Sequence, residues 1–443
     1  MNHQHLSSRR RFLQLGVGLA LGLGGLGLHR PARAAQLSDY KALVCIYLYG
    51  GNDGNNVIVP MDSARYSAYQ SLRGGLALSG NKLLPPITDA NGNLYALHYG
   101  LPELNSIYAE GALAFVLNTG MLQRPLTRAE VIQGQGLPTN LFSHSDQTMQ
   151  AQTGLPTING TGWGGRLLDG FDTPDSLAAI SLSSPALFLQ GFDAGGNVIP
   201  PGTNLGLSGL SFWPQSAADI RRQALNNILL QDGGNLVRQA ANKKIAEGLI
   251  LSDALKSGGN LTPLTTVFPG TSLGNQLKEA LRLIRLRAQQ GPGRQVFFCS
   301  LDGFDLHSSQ DWNHWYLLST LSQALAAFYD ATQEAGLADQ VTSFTQSEFG
   351  RTLQPSGSGS DHAWGNHHLV LGGAVRGGIY GQIPTLALAG PDDANNRGVW
   401  IPKIATAQFG ATLGRWFGAT DAELALAFPN LAQFPSSDIG FML

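Results

Sequence analysis

Charge is scarce in this chain. Only 13% of its 443 residues are Asp, Glu, Lys or Arg, against 43% hydrophobic residues. That balance excludes disorder throughout and fits a globular protein with a sizeable core. Cysteine is scarcer still. Cys45 and Cys299 are the two, each inside an apolar strand-like run. They read as buried free thiols, with a disulfide between adjacent strands as the alternative. Beyond Leu28 no stretch is long and apolar enough to span a bilayer. There is no internal repeat and no low-complexity tail. Glycine, by contrast, is abundant at 56 residues and marks many loops.

The first 34 residues stand apart. Ser8-Arg9-Arg10-Arg11-Phe12-Leu13-Gln14 matches the twin-arginine export signal. A Leu/Gly-rich run without charge follows from Leu13 to Leu28, and Ala32-Arg33-Ala34 supplies a small-x-small cleavage site. The run is shorter than the ~20 apolar residues a membrane span needs, so a cleaved signal is expected over 1–34 rather than an anchor. Removing its five arginines leaves 23 basic against 30 acidic residues, a formal charge of −7. That sign disfavours general nucleic-acid or anionic-membrane binding. The expected location is the periplasm or the exterior, with the twin-arginine export machinery as a partner and no span left after cleavage.

The remainder, 36–443, reads as one α/β domain. Lys41–Tyr49, Ala112–Leu117, Leu177–Leu182, Gln295–Leu301 and Gln340–Thr345 are short apolar or β-branched runs ending in turn residues, as fully buried strands do. Helical patterns lie between them: Leu101–Glu110, Ser143–Thr153, Gly164–Leu168, Leu273–Gln290, Leu317–Gly336 and Thr406–Phe417. Two further helices over 217–257 break at Gly233-Gly234 and belong to an insertion at about 190–270. Strands alternating with helices predict a doubly wound, mostly parallel sheet.

Chemistry concentrates in Thr345–Gly373, TQSEFGRTLQPSGSGSDHAWGNHHLVLGG, which holds Glu348, Asp361, His362, His367 and His368. A polar Gly/Ser loop at the end of a buried strand is where open α/β sheets place their sites. Other acids and histidines also follow predicted strands. Asp53 follows the first, Ser143-His144-Ser145-Asp146 the second, and Asp305 with His307 the strand at 295–301. In a parallel sheet these strand ends share one edge, so their carboxylates and imidazoles can converge. Mixed oxygen and nitrogen ligands suit a divalent ion (Zn, Mn or Mg), one or two in number. Each residue also has a plainer reading. Asp53 sits in Asn-Asp-Gly turn chemistry. Asp305 and His307 suit a loop hydrogen-bond network, and one of His367 and His368 a supporting place. His314, beside Trp312 and Trp315 in a helical pattern, reads as packing, and His98 as structural.

GGNDG closing the first strand, SH before a helix, GFDLHSSQ, SEFGRT, and GSDHAWGNHH leading to GGAVRGGIYG together resemble one family. It is the bacterial domain-of-unknown-function 1501 family, and the likeness covers about 41–440. That family is grouped with the alkaline-phosphatase-like superfamily, alongside sulfatases and phosphoglycerate mutases. The resemblance implies a doubly wound α/β fold with a metal site at the strand ends. Carried over by position, Asp53 matches the first-strand aspartate, and Ser143 falls near the nucleophile. Asp305 and His307 match the second Asp/His ligand pair, Glu348 stands where the superfamily has an Asp-His-Gly turn, and His362 matches the final histidine.

The departures are specific. Glu348-Phe349-Gly350 replaces the Asp-His-Gly turn, so one histidine ligand is missing. One residue separates Asp305 from His307, where phosphatases usually have three. Ser143 and Ser145 both fit the nucleophile. No C/S-x-P-x-R motif is present, which argues against a formylglycine sulfatase.

The expected activity is metal-assisted displacement at phosphorus or sulfur, on an anionic small-molecule or polymer ester. The expected metal set is Asp53, Asp305, His307, Glu348, Asp361 and His362. Ser143 and His144 are the expected catalytic pair, and Arg351 the two-pronged donor to the anionic substrate, with Arg166 as a second candidate. The alternative is a non-catalytic exported protein that uses a degenerate pocket of the same fold for binding or assembly.

Overall fold

A computed structural model describes residues 39–157, 160–171, 177–202, 207–231, 233–257, 261–288 and 293–443. The signal and cleavage site expected over 1–34 lie outside the described residues. Among the described residues no helix is long and apolar enough to cross a membrane.

The strands in chain order are β1 (Tyr40–Tyr49), β2 (Ile58–Pro60), β3 (Ile87–Thr88), β4 (Leu94–Leu97), β5 (Leu113–Gly120), β6 (Ala179–Ser181), β7 (Asn197–Val198), β8 (Gly293–Asp302), β9 (Val341–Gln346), β10 (Asn366–Leu371), β11 (Gly378–Tyr380) and β12 (Ile404–Ala405). The helices used below are α1 (Ser63–Arg73), α2 (Pro102–Ala109), α3 (Arg128–Ile132), α4 (His144–Thr153), α5 (Trp163–Leu168), α6 (Gln215–Leu229), α7 (Leu236–Ser257), α8 (Ser272–Ala288), α9 (Gln310–Glu334) and α10 (Thr406–Phe417).

Nine strands form the main sheet, in the order β11-β5-β10-β9-β1-β8-β6-β7 with β12 also paired to β5. β1 lies at its centre, parallel to β8 on one side and β9 on the other. Every neighbour pair is parallel except those made by β10, which runs against both β5 and β9. The α/β class and the doubly wound, mostly parallel sheet are therefore as expected, with one reversal that the short run Leu369–Leu371 does not announce. That reversal matters for the site. β9 ends, and β10 begins, at the same edge of the sheet.

Helices cover both faces, which is why the central strands are apolar at successive positions rather than at alternate ones. Val44, Ile46, Phe297 and Cys299 point into one layer with α2, α8 and α9. Leu43, Cys45, Tyr47 and Phe298 point into the other with α5 and α10. Cys45 and Cys299 therefore face opposite sides of the sheet. Cys45 lies across from Phe298, and Cys299 across from Ile46. Both are free, and the disulfide alternative is closed by strand register.

The two helices expected over 217–257 are α6 and α7, joined by Arg222–Asp253 at 2.5 Å. α9 starts two turns before the expected Leu317. Its first residues are polar and aromatic and hide the helical period, but Gln310 is buried and donates to Asp53 and accepts from Ser360.

Among the described residues four histidines are interior groups: His98, His314, His367 and His368. Burial lowers His98 to about 3, His367 to about 4 and His368 to about 3, and holds His314 well below the ordinary range. The unfolded chain has ordinary histidines near 6.5. As pH falls below that value, the unfolded state takes up protons that the folded state refuses, so stability is full above about 6.5 and declines below it. Urea midpoints should therefore drop between pH 7 and pH 5, by at most about 2 kcal/mol per buried histidine. His98→Gln should flatten that slope. A midpoint equal at the two pH values would contradict the burial of these rings.

Candidate metal centre

Loops leaving β1, β8 and β9 meet at one edge with the loop entering β10. After β1 the chain turns through Gly50 and Gly51 at φ of 113° and 81°. A Cβ on Gly50 would stand 2.3 Å from Asp305 N, so a side chain there would push the two loops apart. After β8 come Asp305 and His307. After β9 come Glu348 and Arg351, and the chain returns through Asp361 and His362. His144 joins from the first turn of α4, whose N-cap is Ser143.

Three of these groups, His144, Asp305 and His362, share one point, and His307 borders it against Asp305 and His362. His362 Nε2 lies 3.1 Å from His144 Nε2 and 3.1 Å from His307 Nε2. Asp305 Oδ1 is 2.9 Å from His307 Nε2, 3.3 Å from His362 Nε2 and 3.5 Å from His144 Nε2. The other side of each ring is already engaged. His144 Nδ1 is 2.9 Å from Glu348 Oε1, His362 Nδ1 is 2.9 Å from the Phe142 carbonyl, and His307 Nδ1 is 3.4 Å from Asp361 Oδ1. All three partners are acceptors, so in a neutral ring the proton sits on Nδ1 and the lone pair on Nε2.

Three lone pairs and a carboxylate oxygen then lie close together, with the Arg351 guanidinium bonded to that oxygen from the protein side, an arrangement that also suits a cation in its midst. A tetrahedral ion with bonds of about 2.0–2.1 Å sets its ligands about 3.3–3.4 Å apart. The separations here bracket that spacing. Acceptors held behind each imidazole are the usual support of metal-binding histidines. Among the described residues His144, Asp305 and His362 are the group close enough to hold an ion, and His307 extends it. The donor set fits a borderline divalent cation.

The electrostatics follow from these partners. The hydrogen bond to Glu348 raises the His144 pKa, while burial lowers that of His362. Burial also pushes the Asp305 carboxyl up, but the Arg351 guanidinium bonded to it at 2.5 Å outweighs this and holds it at about 2. Asp305 is an anion throughout the physiological range.

Several expected roles change. Asp53 is not with the cluster: it is buried and paired with the buried guanidinium of Arg73, with Gln310 and Asn55 on its remaining lone pairs. The cause is a basic residue brought in by α1, distant in sequence. Arg351 is 1% exposed and spends its donors on the carbonyls of Gly50, Gly51, Phe304 and Ser360 as well as on Asp305. So buried, and bonded through Nε and both terminal nitrogens, it is held by the protein rather than presented to a substrate. Arg166 is likewise taken by the carbonyls of Thr153, Thr161 and Ala427. Glu348 and Asp361 stand behind imidazoles instead of facing the shared point, and Asp361 is also paired with Arg397 at 2.6 Å. His144, expected beside the nucleophile, stands in the cluster itself, with Nε2 3.1 Å from His362 Nε2. The hint in the sequence was its position at the start of a helix after a buried strand. Ser143 Oγ donates to Asp146 Oδ2 at 2.6 Å and caps α4. His367 accepts from Asn118 N at 3.0 Å, and His368 packs on Phe409.

The profile of a protein family described as "Protein of unknown function (DUF1501)" matches residues 40–421. No curated protein matches the chain. Among solved structures, Ps i-CgsB in complex with k-i-k-neocarrahexaose is 10% identical, with 89% of this chain and 75% of that chain covered and a TM-score of 0.37. A putative sulfatase from Bacteroides thetaiotaomicron is 9% identical over 88% and 73%, with a TM-score of 0.32. The lipoteichoic acid synthase LtaP from Listeria monocytogenes is 9% identical over 88% and 80%, with a TM-score of 0.31. At these scores nothing about substrate or chemistry is carried over.

Two outcomes test the site. Metal content after dialysis should fall to background in His362→Ala and Asp305→Ala, and affinity should drop about 10–100-fold in Glu348→Gln, which loosens His144. Asp53→Asn should keep its metal. Arg73→Met should bind metal too, yet cost about 3–5 kcal/mol of stability, because it strands a buried carboxylate. Lost metal in Asp53→Asn, or full metal in Asp305→Ala, would refute the assignment.

Proposed function

The chain belongs to the DUF1501 family of proteins of unknown function, and from its site we propose that it is an exported, metal-dependent hydrolase of phosphate or sulfate esters. The observation that carries the proposal is the meeting of three imidazole Nε2 atoms on one oxygen of Asp305, each ring fixed from behind. Export rests on the twin-arginine match within 1–34.

His144, Asp305 and His362 would hold the ion, with His307 beside them. When bound, it supplies Lewis-acid polarisation of an anionic ester oxygen and lowers the pKa of a nucleophile beside it. Nitrogen-rich ligation favours Zn or a similar borderline ion over Mg, which prefers oxygen. Glu348, Asp361 and the Phe142 carbonyl orient the rings and keep Nε2 unprotonated. Arg351 fixes the Asp305 carboxylate from the protein side. Ser143 sits next to His144 with Asp146 already accepting its proton at 2.6 Å, the pairing that an attacking hydroxyl needs. The N-terminus of α4 adds partial positive charge where an ester anion would lie.

One observation favours a second reading. Asp53, the position the family likeness gives to a first-strand ligand, is neutralised by Arg73. Among the described residues this leaves a single candidate ion site, which supports a binding or assembly role on the same fold.

Turnover separates the two. Zn-loaded protein should hydrolyse an aryl phosphate or an aryl sulfate, and chelation or His362→Ala should lower kcat/KM at least about 100-fold. Ser143→Ala should lose as much if the hydroxyl attacks, and little if water does. Metal-loaded protein inert toward both esters would leave the binding role.

A further inference from the structure

α9 begins three residues after His307, and its outer face carries aromatic rings away from the ion site. Trp312 and Trp315 have ring centroids 4.7 Å apart. Trp315 stacks on Tyr99 at 6.1 Å and 18°, and Tyr99 on His98 at 4.6 Å and 26°. Trp312 is 65% and Tyr316 58% exposed. Beside the rings is a cavity of about 360 Å³, between α9 and the start of α2. Its wall joins Tyr99, Trp315 and Tyr316 to Glu103, Ser319 and Gln323. The Tyr316 hydroxyl, Ser319 hydroxyl and Gln323 amide make no hydrogen bond to other described side chains or backbone. At 1.5 Å per residue, the stretch from Trp315 to Gln323 lies about 8–20 Å along the helix from Gln310.

We propose that this aromatic-walled cavity is a subsite for the sugar rings of a polymeric substrate, whose ester group is placed in the ion site at the head of α9. The proposal rests on the ester-hydrolase reading and adds the class of molecule that carries the ester. A pyranose has C–H faces that are apolar and slightly positive, and a rim of hydroxyls. The face suits the exposed ring of Tyr316, beside the Trp315–Tyr99 stack. The rim suits short neutral donors and acceptors. A lipid chain would use the rings and leave Ser319 and Gln323 desolvated without partners, at a cost. A protein partner would ordinarily meet a flatter surface than this concave one.

The test is quenching of tryptophan fluorescence in the full-length protein by four neutral probes: cellohexaose, maltohexaose, laminarihexaose and chitohexaose. At least one should quench saturably. Trp315→Ala should weaken that binding about tenfold or more, and Trp315→Phe should restore most of it. Tyr316→Ala, at an exposed position, serves where Trp315→Ala fails to fold. Metal content and aryl-ester turnover should stay at the parent level in all three variants, since none touches the histidine cluster. No quenching by any probe, or quenching unchanged in both alanine variants, overturns the subsite. So does a cavity filled by 8-anilinonaphthalene-1-sulfonate that no oligosaccharide displaces, which would assign it to an apolar partner. Failure of the hydrolase reading shows separately, as absent aryl-ester turnover in a protein that still binds the oligosaccharide.

Discussion

One buried cation organises the working edge of this protein. Arg351 draws together carbonyls from the ends of β1 and β8 and from the loop before β10, and binds the carboxylate of Asp305. Strand-end loops carry carbonyls that helices and sheets do not satisfy, and a planar five-donor group answers several at once. Its charge needs an anion, and Asp305 provides it. The result fixes one carboxylate oxygen in space, and the imidazoles are arranged around that oxygen.

Sheet topology decides which imidazoles arrive. Parallel β1, β8 and β9 put their ends on one edge. β10 runs the other way, so the chain that leaves β9 returns to the same edge with His362. α4 brings His144 from the segment after β5. Each ring is then clamped from behind by an oxygen, which fixes its orientation and its protonated nitrogen. A cluster of lone pairs of this kind, with the Arg351 guanidinium bonded to its carboxylate, also suits a cation in its midst.

The plainer readings of single residues were partly right, and the reason is chain distance. Asp53 is an anion beside glycines after a buried strand, as a ligand would be. Only the packing of α1 shows that Arg73, twenty positions on, neutralises it. Arg351 looks like a substrate-binding group from its place after Glu348, yet its surroundings are backbone oxygens. Glu348 looks like a ligand because it is an acid in the loop after a buried strand. It acts instead through His144, more than two hundred positions away. In each case the sequence shows the charge but not the partner that spends it.

The sequence by itself determined the class of fold. Continuous apolar runs separated by helical patterns can bury both faces only as a doubly wound sheet. It also placed the acids and histidines in loops after strands, because strand-end turns carry the polar and glycine residues that such loops need. The reversal of β10, the opposite facing of Cys45 and Cys299, and the division of the polar residues into ion-facing and supporting groups were decided by tertiary structure alone. They depend on register and on distances of a few ångströms between segments far apart in the chain. Neither leaves a local trace in composition or periodicity.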